Sequence, residues 1–148
     1  MTRRAPEDVE LALRLLGHDN ADGRSALDRA TADGRVHALL AERLTPLIGA
    51  AGAQALLQRS VKLTRAEYPC FEGVVVALER GDPPSTAIME LAEGLSKLEP
   101  KAASEASAAL LATVLGLLKS LIGKRLVLQI LRSTFRAIEA RGGEETEE

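Results

Sequence analysis

Leu44-Thr45-Pro46-Leu47-Ile48-Gly49 returns as Leu118-Lys119-Ser120-Leu121-Ile122-Gly123, an offset of 74 residues in a chain of 148. The correspondence runs without a gap over 38–63 and 112–137, where Leu57 is answered by Leu131. An offset of half the chain predicts a helical unit used twice and packed against itself, an internal αα duplication. Abundant Leu, Ala, Ile and Gly also let two amphipathic helices coincide at several positions by composition alone. The copies diverge around their shared core. The first carries Thr45-Pro46 and then the small-sided run Gly49-Ala50-Ala51-Gly52-Ala53; the second carries Lys119-Ser120 and a basic stripe.

Composition points the same way. Hydrophobic residues make up 46% of the chain and charged residues 27%, a balance that supports a packed core rather than disorder. With no Trp, one Tyr and two Phe, the aromatic enrichment of strands is missing, so the core must come from aliphatic helix formers. A net charge of −2 argues against a dedicated nucleic-acid binder. Cys70 is alone and has no intramolecular disulfide partner, which makes a reducing, cytoplasmic setting the simpler expectation. The N-terminus lacks the apolar run and cleavage site of a signal peptide. The longest uncharged apolar stretch, 106–118, falls short of the roughly 20 residues a transmembrane helix needs, so no transmembrane segment is expected.

Local signals place the helices. Pro6-Glu7-Asp8 is a favourable start, Val9, Ala12, Leu13 and Leu16 fall on one face, and Gly17 offers a stop. Two Ala-Asp-Gly-Arg tetrads, at 21–24 and 32–35, predict turns before short helices near 25–31 and 35–44. Thr45-Pro46 reads as an N-cap and first-turn proline opening a helix over 46–65. A brief apolar segment follows at 72–78, then the breaker Gly81-Asp82-Pro83-Pro84. Ile88, Leu91, Ala92, Leu95 and Leu98 keep helical spacing up to Pro100. From 102 to about 140 the pattern stays helical, with a bend expected near Ser120 or Gly123. Around 106–118 almost every direction is apolar, so this segment must be covered on all sides, by its own chain or partly by a second copy.

No motif carries chemistry. His18-Asp19-Asn20-Ala21-Asp22-Gly23 resembles the start of a calcium loop, but its closing ligand position falls on Arg29 where an acid is required. Cys70, with His37 or His18 as base, is the only conceivable nucleophile, yet Tyr68-Pro69-Cys70-Phe71 reads as a helix terminus anchored in the core. No histidine or cysteine spacing suits a metal, and no glycine-rich phosphate loop is present. The expected catalytic, cofactor and metal residues are therefore none.

One charge pattern remains. Lys119, Lys124, Arg125, Arg132 and Arg136 form a run without an interspersed acid, and Arg125, Gln129, Arg132 and Arg136 share a stripe at 100° per residue. It is either a solvated face paired with acids such as Glu90, Glu93 and Glu99, or a docking surface. The candidate partner-binding residues are Lys124, Arg125, Gln129, Arg132 and Arg136. Membrane-surface or nucleic-acid contact lacks the anchoring or stacking aromatics it would use.

The sequence thus predicts an all-α, single-domain helical bundle of about five to seven helices with a long, Leu-rich C-terminal helix over 1–141, followed by a disordered acidic tail over 142–148. Its expected role is a non-catalytic protein–protein interaction or regulatory module. It would self-associate as a homodimer and take an acidic protein partner. A bundle binding a small apolar ligand or lipid is the alternative.

Overall fold

The computed structural model describes residues 5–17 and 26–146, and among them there are six α-helices and no strand. They are α1 (Pro6–Leu16), α2 (Ala26–Arg65), α3 (Glu72–Glu79), α4 (Pro84–Ser96), α5 (Pro100–Ile122) and α6 (Lys124–Thr146), with a 3₁₀ turn at Pro69–Phe71 before α3. The calcium-like loop at 18–23 and the last two residues of the acidic tail lie outside the described residues; α6 carries the backbone to Thr146.

α1 begins and ends as the sequence predicts. Pro6 opens it, and Gly17 closes it in the left-handed region (φ 60°, ψ 39°), its N–H donating to the Leu13 and Arg14 carbonyls. The buried face is Ala12, Leu15 and Leu16, while Leu13 turns outward.

Two boundaries differ from expectation. Asp33-Gly34 makes no turn: α2 runs straight through it, and Asp33 is buried. Gly34 serves packing instead, because a β-carbon there would stand 3.0 Å from Ile88 Cγ2 of α4. Nor does a helix start at Thr45. Its Oγ1 donates to the Ala41 carbonyl at 2.9 Å, a mid-helix bond, and exposed Pro46 sits inside the helix, forfeiting one backbone bond on the solvent side.

The true break lies three residues further on, at Gly49 (φ 80°, ψ 160°), dividing α2 into arms 26–48 and 50–65. Gly123 does the same between α5 and α6 (φ 89°, ψ 156°), so the helical stretch read over 102–140 bends at the glycine. The repeat is therefore realised in three dimensions. The first arm of α2 and α5 have the same length, and each ends in Leu-Ile before a glycine of nearly the same conformation.

Burial follows the 74-residue register. Leu44 and Leu118, Leu40 and Val114, Ala53 and Val127, and Leu56 and Ile130 are all buried. Ser60 donates to the Leu56 carbonyl and Thr134 to the Ile130 carbonyl, both at 2.8 Å and both buried. Leu47 and Leu121, just before the breaks, are both exposed. The first helix of each unit is exchanged: α1 packs chiefly on α5, and α4 chiefly on α2.

α5 is the central element. All of its residues from Ala106 to Leu115 are buried, and its own chain covers them. By length and composition alone it could cross a membrane, yet 61% of its most apolar 18-residue window is buried inside the fold. One core gathers Leu111, Leu115 and Leu118 with α1, α2 and α6. The other gathers Leu110 with Phe71, Val74, Leu91 and Leu95. Gly94 lets α4 approach the 3₁₀ turn, since any β-carbon would collide with the Cys70 carbonyl.

Candidate functional site

Two open apolar grooves of similar size stand out, one between the arms that the Gly49 break splays and one between α1 and α6. The first, about 590 Å³, is walled by Leu40 and Leu44 of α2's first arm, Leu56 and Leu57 of its second, and Ile88 of α4. The second, about 640 Å³, lies between α1 and α6, with Leu11, Leu128, Leu131 and Phe135 as its apolar surface. Both volumes fall in the range of small-molecule sites.

Their polar borders are opposite. Three guanidinium groups border the α1/α6 groove: Arg14, Arg132 and Arg136. Among the described residues no acid lines it, and none of the three forms an ion pair with another described residue. Among the described residues the groove beside Gly49 has no lysine or arginine in its lining; His37, Glu42, Thr45 and Ser85 are its polar members.

The stripe read from sequence is thereby divided. Arg132 and Arg136 line the α1/α6 groove; Lys124, Arg125 and Gln129 are exposed outside it, and Lys124 Nζ lies 3.9 Å from Glu7 Oε2. Lys119, the first cation of the basic run, lies apart from it, since its ammonium is held between Asp8 and Glu7 of α1. The acid beside α6 is thus Glu7 rather than the α4 glutamates, and Glu93 pairs with Lys97 on its own helix at 3.6 Å. Arg14 escaped the sequence reading because one arginine at the end of a short helix reads as C-terminal dipole compensation. Only the placing of α1 across the groove from α6 brings it to the same border.

His37 is 5% exposed and its Nε2 has no hydrogen-bond partner. Burial disfavours the imidazolium and brings its pKa from 6.5 to about 4, against an opposing pull from Asp33. The folded state therefore excludes a proton that the unfolded chain accepts below pH 6.5. Stability is complete above that pH, declines as pH falls toward 4, and levels off there, a loss of ~3 kcal/mol at 1.36 kcal/mol per unit. His37→Leu, which places here the residue found at equivalent position 111, should remove this component. Urea unfolding at pH 7 and pH 5 checks it: the same acid loss in both proteins would assign the slope to other groups.

Cys70 is half-buried in the 3₁₀ turn, and burial pushes its thiol pKa up, away from a ready thiolate. The ring of Tyr68 meets Phe71 edge-on at 6.5 Å, and Phe71 is fully buried, which gives the anchored helix terminus read from sequence. Among the described residues no group of three His, Cys, Asp or Glu could hold a metal ion. Compared with protein-family profiles, curated proteins and solved structures, the chain matches none.

Proposed function

We propose that this chain is a non-catalytic helical interaction module that seats an acidic amphipathic helix of a protein partner between α1 and α6. The observation that carries the reading is the pairing of an apolar groove with a basic border: Leu11, Leu128, Leu131 and Phe135 beside Arg14, Arg132 and Arg136, with no acid among the described lining residues. A helix whose apolar residues recur at i, i+3, i+4 and i+7 would lay that face in the groove. Glutamates on its flanks would meet the arginines, giving orientation and a salt-dependent association rate.

The test uses a fluorescent helical peptide with leucines at that spacing and glutamates beside them, titrated against the full chain. Arg132→Glu with Arg136→Glu should weaken binding about tenfold, or ~1.4 kcal/mol, while far-ultraviolet dichroism is unchanged. Equal binding by the double variant, or equal binding of a lysine-flanked peptide, would refute the reading.

A second copy of the chain is a further candidate partner, because the sequence at the end of α6 offers glutamates to the same arginines. Light scattering separates the cases: a mass of 15.7 kDa at micromolar concentration assigns the partner to a different protein, and twice that mass assigns it to self-association. The lone cysteine supports a cytoplasmic location for either.

A further inference from the structure

The groove beside Gly49 raises a separate question, because a buried polar atom lies in its wall with nothing to bind. Leu40, Leu44, Leu56, Leu57, Ile88 and Val114 make the lining overwhelmingly apolar. Of the polar members, the Thr45 hydroxyl is committed to the Ala41 carbonyl, and Glu42 and Ser85 are exposed. That leaves His37, more than nine-tenths buried, with Nε2 unpartnered. An unsatisfied buried donor or acceptor costs about 1–3 kcal/mol. Packing does not demand it, since the equivalent position of the second unit holds Leu111, also fully buried.

The chemistry of the wall selects the ligand. The imidazole is uncharged near neutral pH because burial holds its pKa near 4. Among the described lining residues the one charged side chain is Glu42, an acid. An anionic headgroup would meet that carboxylate and no lysine or arginine among the described lining residues. A buried ammonium would lose its hydration in an apolar cleft whose Glu42 is at the solvated edge. A hydroxyl carries no charge and both donates and accepts, so it satisfies the ring nitrogen in either tautomer.

We propose that this groove binds an uncharged amphiphile, a hydrocarbon bearing a hydroxyl group, whose chain lies along Leu40, Leu44 and Leu56 and whose hydroxyl hydrogen-bonds His37 Nε2. The ring turns about its Cβ–Cγ bond to present that nitrogen. This site is independent of the α1/α6 groove, whose arginines would favour an acid.

The test titrates the full ¹⁵N-labelled chain with decanol, decanoate and decylamine, reading the imidazole nitrogens in long-range ¹H–¹⁵N spectra with His18 as internal control. Decanol should saturate, shift the His37 Nε2 resonance, and bind at least about tenfold more tightly here than either charged analogue. His37→Leu should weaken decanol about fivefold, the worth of one hydrogen bond of ~1 kcal/mol. Ala38→Trp, on the exposed edge of the groove, should block decanol while leaving the acidic-peptide titration unchanged. No saturable decanol binding, binding that leaves His37 Nε2 unmoved, an undiminished affinity in His37→Leu, or tighter binding of decanoate or decylamine would each overturn the proposal.

Discussion

Gly49→Ala and Gly123→Ala should each cost ~2–3 kcal/mol, and the pair should lose nearly the sum. Both glycines combine φ of 80–89° with ψ of 156–160°. This region is essentially closed to residues with a β-carbon, unlike the left-handed helical region of Gly17, which asparagine tolerates. No neighbouring atom obstructs a β-carbon at either site, so the penalty is one of backbone alone. Each variant must carry the strain or straighten the break and pull its second arm off the core, including buried Leu56 in one case and Ile130 in the other. At roughly 2–4 °C per kcal/mol for a domain of this size, either variant should melt about 5–10 °C lower. Gly17→Asn is the control and should change little. Melting of Gly49→Ala and Gly123→Ala within about 2 °C of the parent would show that the breaks are not required.

Lys119→Met should cost about 3 kcal/mol or more, because it leaves Asp8 buried without a counter-charge. The Asp8 side chain is 6% exposed and that of Lys119 16%. The bond to Asp8, reinforced by Glu7, raises the lysine pKa despite partial burial, so the ammonium stays charged at neutral pH. Adding Asp8→Asn to Lys119→Met should recover much of the loss, since the amide removes the stranded charge. Chemical denaturation of the two single variants and the double completes the cycle. A loss under about 1 kcal/mol for Lys119→Met would mean that water reaches the pair and solvates it. The same contact ties α1 to α5.

The helices were legible in the sequence because their signals are local. Pro6, Gly17, Pro84 and Pro100 mark ends through backbone geometry that needs no tertiary context. The all-apolar directions of 106–118 foretold a helix covered on every side. What misled was glycine and proline taken as punctuation. Gly34 is small for the sake of Ile88, a contact 54 positions away, and Pro46 costs little because its face is exposed. The breaks at Gly49 and Gly123 were written in the repeated Leu-Ile-Gly, but composition does not say which of several nearby residues yields.

The site was half legible. Arg132 and Arg136 share a helix, so periodicity put them on one stripe. Arg14 joins them only through α1, and Lys119 lies apart from the basic run only through Asp8, both facts of packing. His37 gave no signal at all. Nothing in an isolated helix separates a histidine facing an open cleft from one on a solvated surface.

The exchange of first helices has a consequence for how the molecule holds together. Both hydrophobic cores draw residues from before and after the midpoint of the chain. Neither half closes a core by itself, so a cut in the exposed Gly81–Pro83 link would release no self-sufficient piece. Each half gives its leading helix to the other in the manner of a domain-swapped pair. The two halves of the chain thus interlock, each completing a core that the other begins.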